Sequence, residues 1–216
     1  MDELIKYYLP ALVITIILAY FFGCFNGAVI VSKYILKDDV RNHGSGNAGL
    51  TNFYRTFGGV LTLVVIFTDF FKGMLSVLLG GYVAKQLGAS EEIILYFKYF
   101  AAVGCQIGHM FPVTFKFKGG KGVLSGGAIA LMLDWRVMVA VWAGFLILVV
   151  LTRYVSLGSI WAGISFIVAN TLIYFPDPVI IVLSFILGGQ LLWGHRSNIK
   201  RLLAGEESKF HGRKKE

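Results

Sequence analysis

The sequence predicts an all-α integral membrane protein, a bundle of seven transmembrane helices with the N-terminus outside, the C-terminus in the cytoplasm and glycine-rich cytoplasmic loops. Three observations predict it. Hydrophobic residues make up 56% of the chain and charged residues 15%, with a mean hydropathy of +0.72, too apolar for a soluble domain that must keep a polar shell. The apolar residues gather into runs of about the length that crosses a bilayer. The lysines and arginines fall between those runs, unequally on alternate sides.

The N-terminal MDELIKYYLP lacks the basic segment and small-residue cleavage site of a secretory signal, so residues 9–31 read as the first span. Residues 60–83 and 93–111 follow, then 123–133, which is short. Gly126, Gly127 and the preceding GGKG suggest that this fourth run begins in a loop dipping into the membrane, where backbone must be shielded by protein. Residues 137–151, 157–174 and 179–193 complete the set, and 195–216 form a cytoplasmic C-terminal segment of a single domain covering 1–216. Inside the second run, Asp69 and Lys72 stand three apart on a helix face and are expected to pair, lowering the cost of charge in lipid. Cys24 and Cys105 lie in apolar runs and read as small packing thiols rather than a disulfide.

With these runs as spans, one side holds fifteen basic residues, from Lys33, Lys37, Arg41 and Arg55 through Lys116, Lys118, Lys121 and Arg153 to the C-terminal cluster. The other holds four: Lys6, Lys85, Lys98 and Arg136. The richer side is the cytoplasmic one. The net charge of +8 comes as short clusters between apolar runs, which argues for topology and anion binding and against nucleic acid. Arg213, Lys214 and Lys215 read as a solvated tail touching anionic membrane lipid.

Four polar segments fall on that side. In residues 41–59, RNHGSGNAGLTNFYRTFGG, Gly44, Gly46 and Gly49 permit close backbone approach and positive φ. Ser45, Asn47, Thr51 and Asn52 add neutral hydrogen-bonding groups there, and Arg55 adds a fixed cation. That combination is a phosphate cradle. Residues 108–122, GHMFPVTFKFKGGKG, place His109 at a helix end and Lys121 between glycines, with free backbone N–H groups expected nearby. Residues 153–160 put Ser156 and Ser159 around Gly158 at a helix start. Residues 193–210 carry His195, Arg196, Asn198, Arg201 and Glu207 just past the last span, a second anion-binding theme.

Several chemistries are excluded by spacing. A nucleotide P-loop at GGKG needs Gly at 115 and Ser or Thr at 122, where Phe115 and Gly122 stand. An H-x-x-x-x-D acid–base pair fails at every histidine, since Ala48, Thr114, Lys200 and Glu216 lie five positions on. No G-x-S-x-G nucleophile elbow is formed around Ser45. Acidic residues occur as lone adjacent pairs, Asp38–Asp39 and Glu206–Glu207, so no metal site and no cofactor is expected. No internal or inverted repeat is visible, which leaves a transporter of an organic phosphate or phospholipid as the weaker alternative.

The segment GSGNAGLTNFYRTFG resembles the G-S-G-N-x-G-x-T-N-x-x-R motif of the bacterial acyl-phosphate-dependent glycerol-3-phosphate acyltransferases, the PlsY type. GHMFPVTFKFKGGKGV, SLGSI and HRSNIKRLLAGEE resemble its other segments in order, as does D-x-x-K-G at 69–73. Leu50, Leu124 and Ser125 depart from the family's usual Ala, Ala and Thr. The resemblance implies a seven-span enzyme of the bacterial cell membrane. It would move an acyl group from acyl phosphate to the sn-1 hydroxyl of glycerol 3-phosphate, releasing lysophosphatidate and phosphate on the cytoplasmic side. It implies catalytic roles for His195, Ser45 and Lys121, with either His195 or an oxygen of the donor phosphate taking the hydroxyl proton. Substrate contacts are implied for Ser45, Gly46, Asn47, Thr51, Asn52, Arg55, Lys121, Ser156, His195, Asn198 and Glu207.

Overall fold

The computed structural model describes residues 4–210, and within them every regular element is helical. The basic tail at 213–215 lies outside the described residues. The described residues form two compact units, divided between Leu133 and Asp134.

The first unit contains α1 (Leu9–Cys24), α2 (Gly27–Ile30), α3 (Leu50–Thr56), α4 (Leu61–Gln86), α5 (Glu91–Met110) and α6 (Val123–Leu133). The first apolar run, expected as one helix over 9–31, is broken. At Asn26 the backbone turns extended and the side-chain Oδ1 accepts the Val29 N–H, capping a new helix. The break leaves the Phe25 carbonyl outside a helical ladder, and the Lys72 ammonium takes it at 3.0 Å. α4 carries that lysine, with Asp69 one turn earlier at 2.8 Å, so the expected pair is formed. α5 starts on a Ser90 cap with Glu91 and Glu92 in its first turn, where the helix dipole favours negative charge.

Small residues let these helices touch backbone to backbone. Gly104 and Gly108, four apart on α5, face Ile16 and Tyr20 of α1, and a Cβ at either position would stand within 3 Å of the α1 main chain. Because 104 meets 16 and 108 meets 20, α1 and α5 run parallel. α4 runs antiparallel to α5, with Gly80 against Phe97 O and Lys72 O within 3.8 Å of Cys105 Sγ. Gly73 of α4 lies against Ser125 O of α6. Cys24 and Cys105 are buried, free thiols. One end of the unit therefore gathers the C-termini of α1 and α5 with the N-terminal half of α4, and both glycine-rich loops of this unit leave from it.

The second unit contains α7 (Trp135–Thr152), α8 (Val155–Tyr174), α9 (Pro178–Gly194) and α10 (Arg196–Leu203). α7 and α8 form a hairpin closed by Arg153 in the left-handed region at φ 62°. α8 and α9 form another, with Gly163 and Gly188 in close approach. α10 leaves α9 at a bend of 57°. Among the described residues the seven longest helices, α1 and α4 to α9, each overlap one of the apolar runs, α1 filling the first run only as far as Cys24. Among the described residues four helices are long and apolar enough to cross a membrane, or five if the bent α9–α10 pair counts as one, and α6 is shorter.

Asp134 caps α7 by accepting the Arg136 N–H at 2.8 Å, while also receiving Arg136 Nε and Nη2 and the Tyr174 hydroxyl. Chiefly through the Arg136 bond, its carboxyl is lowered from 3.8 to about 2. A carboxyl lowered in the folded state stabilises fully above its ordinary value and loses that contribution as pH falls through the folded one. Asp134→Ala is expected to cost roughly 1 kcal/mol at neutral pH, as for a lost N-cap. In wild type the cap should fail only between about pH 3.8 and about 2, read as a fall in thermal midpoint confined to that window.

Candidate active site

The first glycine loop is organised from within by Asn52. Its amide nitrogen donates toward the carbonyls of Val40, His43 and Asn47 at 3.0, 3.0 and 3.1 Å, and its Oδ1 accepts the Ser45 N–H at 3.1 Å. Gly44 and Gly46 adopt φ of 53° and 67°, as expected of them. Gly49 does not: it is extended at φ −130° and is required for space beside Asn47 Oδ1. The loop so held presents Ser45 and Gly46 exposed and Asn47 half-buried, with Thr51 and Arg55 following on α3. Asn52, expected to bind substrate, has its hydrogen-bonding capacity committed to the loop backbone. Asn52→Ala should loosen the loop by about 2–3 kcal/mol, at roughly 1 kcal/mol per lost bond. Activity is expected to fall steeply with helix content unchanged by circular dichroism.

The second loop hangs from the end of α5. Gly119 and Gly120 donate their N–H groups to Met110 O and His109 O, both at 3.1 Å. These amides are therefore occupied by the helix end, contrary to the expectation that they stand free for an anion. Gln106 secures the far side, donating to Gly122 O at 3.0 Å and accepting from Ser125 Oγ at 3.0 Å. Tyr20 OH bridges Phe111 O and Val113 N–H. Lys121 is half-buried between these anchors.

The two loops meet. Asn26 Nδ2 donates to Ala48 O at 3.0 Å, and Gly120 packs so closely on that carbonyl that a Cβ would sit 2.7 Å from it. Arg41 clamps the same junction, donating to Phe115 O and Lys118 O while held bidentate by Asp39. That pairing holds the Asp39 carboxyl below its ordinary value. Asn47 and Lys121 thus flank the two residues, Ala48 and Gly120, at which the loops touch. Asn26, Gln106 and the Arg41 clamp were not among the expected site residues. For Asn26 and Gln106 the available signal was a polar amide inside an apolar run.

In the second unit, residues from the third and fourth segments come together. His195 is buried at the α9–α10 bend, and its Nδ1 donates to Leu191 O at 2.8 Å, which leaves the lone pair of the neutral ring on Nε2. Asn198, also buried, donates its amide to Glu207 Oε1 at 2.8 Å, and Arg201 Nε holds Glu207 Oε2 at 2.7 Å. Burial would raise the Glu207 carboxyl, but bonds from Asn198, Ser156 and Arg201 outweigh it and hold the group below its ordinary value. Ser156 contributes to that pull, yet its buried Oγ makes no hydrogen bond of full geometry. The segment after α10 folds back, with Phe210 N–H on Arg153 O at 2.6 Å and Lys209 over the Tyr154 ring. Arg196 turns away from this cluster and stacks on Trp193 at 4.0 Å.

Each unit therefore carries hydroxyl, amide and cationic groups together with a buried, hydrogen-bonded amide side chain, Asn52 in one and Asn198 in the other. Residues 13–205 match a family profile described as glycerol-3-phosphate acyltransferase. A glycerol-3-phosphate acyltransferase of Thermoanaerobacter pseudethanolicus is 40% identical over 92% of this chain and 95% of its own length. One from Staphylococcus aureus is 34% identical over 92% and 98%. The glycerol 3-phosphate form of PlsY (YgiH), an integral membrane glycerol 3-phosphate acyltransferase, superposes with a TM-score of 0.81 at 32% identity, covering 93% of this chain and 96% of that one. The lysophosphatidic acid form of that protein superposes at 0.78. With likeness over nearly the whole of both chains in sequence and in structure, the chain belongs to the PlsY family of glycerol-3-phosphate acyltransferases.

Proposed function

We propose that the protein transfers a fatty acyl group from acyl phosphate to the sn-1 hydroxyl of glycerol 3-phosphate. It does so as a seven-span protein of the bacterial cell membrane, with its active site facing the cytoplasm. The products are lysophosphatidate and inorganic phosphate. The observation that carries this reading is the pair of polar clusters, as a reaction between two phosphate-bearing substrates requires. A relative seen in glycerol 3-phosphate and lysophosphatidic acid forms supports the acceptor and the product. The parallel run of α1 and α5, with α4 antiparallel, agrees with the alternation of spans that places the basic loops on one side.

In this mechanism the acceptor hydroxyl attacks the acyl carbonyl directly. A carbon–oxygen bond to glycerol forms, the bond from the acyl carbon to the phosphate oxygen breaks, and phosphate leaves with the electron pair. The hydroxyl proton passes to His195 Nε2 or to an oxygen of the donor phosphate. The residues proposed to contact the two substrates are Ser45, Gly46, Asn47, Thr51, Arg55 and Lys121 in the first unit and Ser156, His195 and Asn198 in the second. Asn52 and Glu207 act through the groups they order. Positioning and charge stabilisation supply the rate, since acyl phosphate is already activated. A covalent acyl-serine is disfavoured because His43, the histidine nearest Ser45 in sequence, has its Nε2 on Asp38 at 2.8 Å.

The test supplies purified protein with labelled glycerol 3-phosphate and acyl phosphate, acyl-CoA or acyl carrier protein in turn. Lysophosphatidate is expected from acyl phosphate alone. Product from a thioester alone would overturn the donor, and absence of product with every donor would overturn the enzyme reading in favour of transport.

A further inference from the structure

We propose that Asp69, Lys72 and His109 form a buried positioning triad that sets the register of the two glycine loops and thereby places Lys121 and Asn47. The inference rests on the roles given above to those two residues. All three triad side chains are buried. Lys72 Nζ has three N–H groups and meets three acceptors: Asp69 Oδ1 at 2.8 Å, Phe25 O at 3.0 Å and His109 Nδ1 at 2.6 Å. An ammonium donating to Nδ1 requires a lone pair there, so the imidazole is neutral and its proton lies on Nε2, the nitrogen that faces Gly120. The cluster then carries one negative and one positive charge and no net charge.

Neutralising a charge in an apolar helix needs only the Asp69–Lys72 pair; the other two contacts go further. Through His109, Lys72 fixes the end of α5 whose carbonyls at 109 and 110 hold Gly120 and Gly119. Through Phe25, it fixes the break in the first span whose next residue, Asn26, holds Ala48 O. Asp69 Oδ1 also faces the Gly27 N–H on the far side of that break, at 3.4 Å. One ammonium group thus ties the supports of both loops to α4. Gly120 has no room for a side chain between His109 and Ala48 O, so a shift of His109 passes directly to the residue before Lys121.

The test compares wild type, the charge-neutral double variant Asp69→Asn/Lys72→Met, and His109→Asn, whose Oδ1 can replace Nδ1 as the acceptor for Lys72. Backbone hydrogen exchange is followed for residues 112–122 and 61–86, alongside kcat/KM. In the double variant, exchange in 112–122 is expected to rise at least about tenfold while 61–86 keeps its protection. Its kcat/KM should fall on the order of 10²-fold, as for a misplaced catalytic group. His109→Asn should keep most of the wild-type protection in 112–122 and most of the wild-type kcat/KM. Unchanged exchange in 112–122, or protection lost equally across both segments, would overturn the triad as a positioning device. If wild type itself forms no lysophosphatidate, the proposed reaction fails, while the exchange data still decide the triad.

Discussion

Gly108→Ala is expected to destabilise the protein by about 1–3 kcal/mol and Gly108→Val by more, because the α1–α5 seam closes through main-chain contact. A Cβ at 108 would collide with Tyr20 O and stand 2.9 Å from Tyr20 C and 3.0 Å from Cys24 N. All three are backbone atoms of a helix, so relief requires moving α1 rather than turning a side chain. That movement would drag the Phe25–Asn26 break away from Lys72 and Ala48, so activity should fall with stability. Gly189 supplies the control, since nothing lies within 4 Å of a Cβ there. Gly189→Ala should be neutral, or stabilise by up to about 1 kcal/mol through helix propensity. Thermal unfolding in detergent measures both; equal midpoints for the two alanine variants would refute close packing at the seam.

His195→Ala is expected to lower kcat/KM on the order of 10²–10³-fold, the usual effect of removing one preorganised hydrogen-bonding group from a reacting phosphate or acyl centre. The ring is held by its Nδ1 bond to Leu191 O within α9, so its loss should leave the fold intact. His195→Gln separates the two routes for the proton. Near-normal turnover with a raised KM for glycerol 3-phosphate would assign the proton to the donor phosphate. Lost turnover at an unchanged KM would assign it to His195.

The helices were legible because apolar run length is a strong signal, and α6 occupies the very residues expected for it. The break at Asn26 was not, since one polar residue scarcely alters the hydropathy of a run whose other members are apolar. α3 and α10 are too short to announce themselves by periodicity, at 7 and 8 residues. The chemistry of the loops was legible in their glycines, hydroxyls and cations. The direction of their hydrogen bonds was not: Asn52 serves the loop backbone, and the amides of Gly119 and Gly120 serve α5. The Asp69–Lys72 pair followed from helical spacing, whereas His109, thirty-seven positions from Lys72, could join it only through tertiary structure.

The most direct test of the proposed reaction is a stoichiometric one in lipid vesicles, following inorganic phosphate and lysophosphatidate together from acyl phosphate and glycerol 3-phosphate. The expected result is that the two appear one for one and that neither forms when glycerol 3-phosphate is withheld. A burst of phosphate without acceptor, matched by acyl groups bound to protein, would contradict direct transfer and require a covalent intermediate.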